Sequence, residues 1–141
     1  MPLAKLVGDG VGGRVHTFEV HPKTRAVMMF NLLINDVFDT VSVHPYGLGD
    51  KRDNGKSILL SIGSTSKNSG SFSVSEEKHL NKGEERALDA SVLRAKLVSF
   101  DEELGKGNCP TVIKTDLEGM DLKALRGAKK MIKKCRPGKQ Q

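Results

Sequence analysis

Four acidic side chains stand where apolar runs end, and that placement suits hydroxyl and proton chemistry. Glu19 closes the alternating run at residues 14–20, and Asp50 closes Gly47-Leu48-Gly49. Asp116 and Glu118 follow the apolar run at residues 111–115. In an open α/β sheet, ligands lie beyond the carboxyl ends of the strands. A carboxylate there can accept hydrogen bonds from ligand hydroxyls, or take the proton of a hydroxyl nucleophile. Each acid also has a structural reading. Glu19 could be a solvated strand end, although Glu is a poor strand former. Asp50, in Gly-Asp-Lys, serves equally well as a turn residue. Asp116 and Glu118 could favour the N-terminus of the last helix.

Other candidate groups carry less chemistry. Gly8-Asp9-Gly10-Val11-Gly12-Gly13 satisfies G-x-G-x-x-G, but a dinucleotide turn needs a strand before it and a helix after it. Here a strand follows at once, so the glycines read as a surface turn. His16, His21, His44 and His79 lack ligand spacing and read as strand or loop residues; no metal site is expected. Cys109 and Cys135 fit no C-x-x-C or zinc pattern and read as two reduced thiols. Asn68 and Ser73 read as loop hydrogen-bonding groups.

The elements that must position the acids follow from periodicity. Residues 14–20 alternate and predict a strand. Pro22 suits a first helical turn, and the spacing predicts a helix over 24–34 with Ala26, Val27, Phe30, Leu33 and Ile34 on one face. Asn35 and Asp36 are stop residues, and 41–44 is a second strand, ended by Pro45 and the Gly47-Leu48-Gly49-Asp50 turn. A strand, a helix and a strand in this short span make a βαβ unit with neighbouring parallel strands. Further on, 57–62, 92–98 and the buried-looking 111–115 predict strands, with a serine- and glycine-rich loop over 63–71. Ser99 and Glu102 form a capping-box pattern before a short helix. The last helix is expected over 121–134, with Leu122, Leu125, Ala128, Met131 and Ile132 inward.

The chain has 141 residues and a net charge of +6, the size of one domain. No apolar run approaches the roughly 18 residues of a membrane span, and the first residues do not resemble a signal peptide. A cytoplasmic location is the corresponding expectation. From Lys123 onward the sequence holds Lys123, Arg126, Lys129, Lys130, Lys133, Lys134, Arg136 and Lys139 and no acid. A basic stripe can track phosphates, but no aromatic residue is interleaved for base stacking. It reads as a solvated helix face, with nucleic acid an unfavoured partner.

Three segments resemble the FkbM type of S-adenosylmethionine-dependent methyltransferase. The first is Gly13-Arg14-Val15-His16-Thr17-Phe18-Glu19 with His21-Pro22, followed by Asn31 and Asn35. The second is Gly47-Leu48-Gly49-Asp50, with Asn68, Gly70 and Ser73 beyond it. The third and most specific is Ile113-Lys114-Thr115-Asp116-Leu117-Glu118-Gly119, continued by Leu125, Gly127, Ala128 and Arg136-Pro137. The resemblance spans most of residues 5–137. It implies an α/β fold across 1–141: a partial class I methyltransferase (Rossmann-like) sheet, mostly parallel and lacking the first and fifth strands. It implies S-adenosylmethionine as cofactor, with Glu19 on the ribose and Gly49 and Asp50 on the adenine side. Asp116 and Glu118 would lie nearest the reacting methyl group. The acceptor would be a small-molecule, sugar or lipid hydroxyl.

The family's Asp-x-Gly-x-Asn-x-Gly loop would precede Leu3, and its fifth strand would follow Pro137. This chain by itself is therefore expected to bind the cofactor weakly and to lack full activity. A non-catalytic nucleotide- or nucleic-acid-binding module built on the basic C-terminal helix is the alternative, and an inert fragment a third reading.

Overall fold

The computed structural model describes residues 13–62, 72–76, 92–105, 109–117 and 119–137. The glycine motif at 8–13 apart from Gly13, the loop at 63–71, His79 and Glu118 lie outside the described residues. Two compact units divide the chain, residues 1–47 and 48–141.

The first unit contains β1 (Val15–Phe18), α1 (Pro22–Ile34), a 3-10 turn (Phe38–Thr40) and β2 (Val41–His44). β1 and β2 are parallel, pairing Val15 with Val41 and Phe18 with His44. The expected βαβ unit is thus present. Pro22 opens α1, and the His21 ring accepts a hydrogen bond from the Thr24 amide (3.3 Å). Asn35 caps the far end and Asp36 takes a left-handed φ of 56°, so both stop residues act as read.

The buried face of α1 differs from the predicted one. Arg25, Met28 and Leu32 are half-buried, whereas Val27, Phe30, Leu33 and Ile34 are each 60% exposed or more. Residues 25, 28 and 32 recur at i, i+3 and i+7 just as the predicted set does. Apolar periodicity marks a stripe but does not orient it when the helix is apolar on both sides.

The second unit holds β3, β4 (Ser57–Ile62), β5 (Phe72–Glu76) and β6 (Val92–Val98), in sheet order β3-β6-β4-β5. β3 is the short Gly47–Leu48 strand. The mixed α/β fold expected is present, but β4 runs antiparallel to both β5 and β6, so the parallel pairing expected from the resemblance is met by β1 and β2 and not by β4. Ile58 and Leu60 of β4, and Ala95 and Leu97 of β6, are buried, while Arg94 and Lys96 point out. That two-residue period gives the sheet one covered face.

α2 (Phe100–Glu103), α3 (Asp121–Gly127) and α4 (Lys129–Cys135) complete the unit. The predicted last helix is interrupted at Ala128, whose amide is shared between the Ala124 and Leu125 carbonyls. Its inner face also differs from expectation. Ala124, Gly127, Ala128 and Met131 are buried, whereas Leu122 is 60% and Leu125 38% exposed. Small residues line the inside because the helix lies against backbone. A Cβ at Gly127 would overlap the carbonyl oxygen of Gly49.

Two further expectations are corrected. Residues 111–115 form no strand, and Val112 is 71% exposed. Thr, Val and Ile favour extended backbone, but a strand needs a ladder partner, and none is present among the described residues. The Ser99 capping box does not form, although α2 does. Ser99 is fully buried, and its hydroxyl has no partner among the described residues.

Candidate functional site

In the first unit the site is built around the carboxyl end of β1. The Glu19 amide donates to the His44 carbonyl (3.0 Å), so pairing with β2 extends one residue past the strand. The chain then turns, and the Glu19 carboxylate accepts the His21 amide through Oε1 (2.7 Å). Arg25 reaches back from α1 and donates to the Glu19 and Val20 carbonyls (3.0 and 3.3 Å). These bonds fix Glu19 in a half-buried position at a strand end. Only Oε1 is committed to the turn. The arrangement leaves Oε2 able to accept from a ligand hydroxyl.

Beside it lies a group that sequence spacing did not single out. His16 Nδ1 and His44 Nε2 are 3.0 Å apart, and the Phe18 ring stacks on His44 at 4.5 Å between centroids. One nitrogen must donate and the other accept, so the contact requires a ring that is not fully protonated. Burial, then the fields of His44 and Arg14, hold the His16 pKa below its ordinary value of 6.5. The folded state thus binds fewer protons than the unfolded chain in this range, and the unfolded chain gains them first as pH falls. Stability should therefore be retained above about pH 6.5 and decline as pH drops toward the folded pKa. We expect the urea midpoint to fall between about pH 7.5 and pH 5, and His16→Asn to remove that part of the slope. A midpoint in the unsubstituted chain that is flat or rises on acidification would contradict the pairing.

In the second unit, Gly49 is buried and its backbone is engaged. Its amide donates to the Val98 carbonyl (2.9 Å), and its own carbonyl faces Gly127. Asp50 caps a 3-10 turn (Lys51–Asp53), accepting the Arg52 amide at 3.4 Å and lying 3.5 Å from the Arg52 guanidinium. The turn role is therefore occupied. Asp53, 14% exposed at its side chain, bonds Lys56 Nζ at 2.9 Å. Burial opposes its ionisation, but the Lys56 hydrogen bond, the charges of Lys56 and Lys123 and a backbone bond from Asp50 prevail. Its pKa lies below the ordinary 3.8.

Asp116 is exposed on the extended stretch after Cys109. It does not cap the following helix. Asp121 instead accepts the Leu117 amide (3.2 Å), while Asp101 of α2 accepts the Lys130 and Met131 amides that open α4 (3.0 and 2.9 Å). Cys109 and Cys135 form a disulfide with their Cα atoms 5.2 Å apart. The expectation of two reduced thiols is overturned, because folding brings together cysteines 26 positions apart in sequence. The bridge anchors the start of the Asp116 stretch to the end of α4. Among the described residues no group of three or more His, Cys, Asp or Glu could hold a metal ion. No helix among them is long and apolar enough to cross a membrane.

The family model of the Methyltransferase FkbM domain matches residues 4–139. The fold is similar to the crystal structure of methyltransferase FkbM from Methylobacillus flagellatus KT, with a TM-score of 0.52 at 21% sequence identity. That similarity covers 96% of this chain and 28% of the other, so this chain spans little more than a quarter of that protein's length. No curated protein matches the chain.

Proposed function

The chain belongs to the FkbM methyltransferase family, and from that premise we propose that it serves S-adenosylmethionine-dependent O-methyl transfer. The family match over residues 4–139 carries this reading. The geometry at Glu19 supports it: a braced carboxylate at the end of a parallel strand, with one oxygen outside the turn's own hydrogen bonds. Such a group suits the paired hydroxyls of a ribose. Gly49 and Asp50 are assigned to the adenine side; the Arg52 pairing of Asp50 would have to loosen for direct contact.

Bound S-adenosylmethionine supplies a methyl group made electrophilic by its sulfonium. Asp116, exposed, and Glu118 are assigned to the acceptor. With the cofactor bound, one carboxylate would take the hydroxyl proton while the acceptor oxygen displaces the thioether from the methyl carbon, the C–S bond breaking as the C–O bond forms, and alignment would supply most of the rate. A small molecule, a glycan or a lipid could present that hydroxyl. The disulfide favours an oxidising compartment over the cytoplasm.

Calorimetric titration with S-adenosylmethionine tests the assignment. A charge-assisted hydrogen bond is typically worth about 1.5–3 kcal/mol, too little by itself to offset the ordering cost of binding. Glu19→Ala should weaken S-adenosylmethionine binding by roughly 10- to 100-fold. Unchanged affinity in the Glu19→Ala variant would remove the ribose role.

A further inference from the structure

We propose that the outward side of α3 and α4 is a docking surface for an anionic lipid bilayer. The inward side is fixed by Ala124, Gly127, Ala128 and Met131, all buried. Leu122 and Arg126 recur at i, i+4 on α3, and Lys129 and Lys133 at i, i+4 on α4, so that each helix carries part of an exposed stripe away from those buried residues. All four are exposed, Leu122 by 60%. Exposed Lys130, Lys134 and Arg136 widen the stripe, and Leu125 stands at its edge.

Charge complementarity sets the chemistry of the partner. No acid occurs after Asp121. Asp121 itself holds the Leu117 amide, and Asp101 holds the amides of Lys130 and Met131. The exposed Glu102 of α2 is a nearby acid that partly offsets the field. The remaining cations face outward on long stems that can lie along an interface with their charges among headgroups. Clustered lysines and arginines of this density are drawn to anionic leaflets.

Leu122 decides between a bilayer and a nucleic acid. A leucine at the N-terminal end of the basic stripe, exposed beside Arg126, can enter the headgroup boundary, as on interfacial amphipathic helices. A phosphate backbone offers it nothing, and no aromatic residue after Phe100 provides a stacking platform for bases. The inference is independent of the methyl-transfer reading and places no segment across the bilayer.

The test is co-sedimentation of the full chain, under non-reducing conditions, with phosphatidylcholine vesicles with or without about 30% phosphatidylserine. We expect binding to the anionic vesicles alone, falling as salt rises. The double substitution Lys129→Glu/Lys133→Glu should weaken it by more than about tenfold. Leu122→Ser, which leaves the charge unchanged, should weaken it several-fold. Circular dichroism confirms that both variants are folded; if either is not, Lys129→Gln/Lys133→Gln and the salt series on the unaltered chain give the same reading. Absence of binding, or equal binding to both vesicle types, would overturn the proposal. So would lipid binding indifferent to Leu122→Ser together with equal or tighter binding to duplex DNA at matched phosphate concentration.

Discussion

Removing the Cys109–Cys135 bridge is expected to lower the stability of the second unit by about 3 kcal/mol. The bridge closes a loop spanning 26 sequence positions, and a cross-link of that reach restricts the unfolded chain more than the folded one. The native state also needs it locally. The stretch from Cys109 to Leu117 has no ladder partner among the described residues, and its far end is held by the Leu117–Asp121 hydrogen bond (3.2 Å). In a unit of this size the loss corresponds to roughly 10 °C or more in Tm. Thermal unfolding should therefore shift on adding reductant to the unsubstituted chain. It should not shift further in Cys109→Ser/Cys135→Ser, which begins at the lower value. Amide exchange should quicken most between residues 109 and 117, and less in β4 and β6. A transition insensitive to reductant in the unsubstituted chain would show that the two sulfurs are not joined.

That bridge lay beyond what spacing could reveal, because disulfide geometry is a property of the fold. The elements themselves were more legible. β2, β4 and β6 fall where alternation and turn residues placed them, and Pro22, Asn35 and Asp36 bound α1 as their backbone preferences require. Faces were harder to read. α1 and the C-terminal helices carry apolar side chains on more than one side, and the buried side is chosen by the surface against it. In the second case that surface is the Gly49 backbone, which admits alanine and glycine but not leucine. The His16–His44 pair was readable in principle. With β1 and β2 assigned as parallel neighbours, pairing Val15 with Val41 puts His16 diagonal to His44. Register was the missing quantity, since a period of two does not set it without turn geometry. Glu19 does follow directly on β1, as the alternating run before it implied. Asp50 shows the converse: a carboxylate after Gly-Leu-Gly is also the natural cap of the turn that follows, and here it fills that role.

Gly127→Ala should destabilise the chain even though alanine is the better helix former. Propensity favours alanine by about 0.8–1.0 kcal/mol at an interior helical position. The packing opposes it more strongly. The added carbon would overlap the Gly49 carbonyl oxygen and lie 3.2 Å from both the Gly49 carbonyl carbon and the Ser99 Cβ. None of these is the free end of a flexible side chain. Gly49 is tied by its amide to Val98, and Ser99 by its amide to Asn54 (2.9 and 3.2 Å). Relief therefore requires α3 to move away from the sheet edge, with an overpacking cost of about 1–3 kcal/mol that should exceed the propensity gain. Gly127→Val adds volume and a β-branched side chain at the same place, and its loss should be larger, about 3 kcal/mol or more. The displacement has a functional consequence as well. Gly49 and Asp50 are the residues assigned to the adenine side of the cofactor, and Lys123 contributes to the field at Asp53 in the same turn. Both variants should weaken S-adenosylmethionine binding without removing any group proposed to touch it. Urea unfolding of the three proteins should give midpoints in the order Gly, Ala, Val, highest first. A midpoint for Gly127→Ala at or above that of the unsubstituted chain would mean that helix and Gly49 do not meet as described.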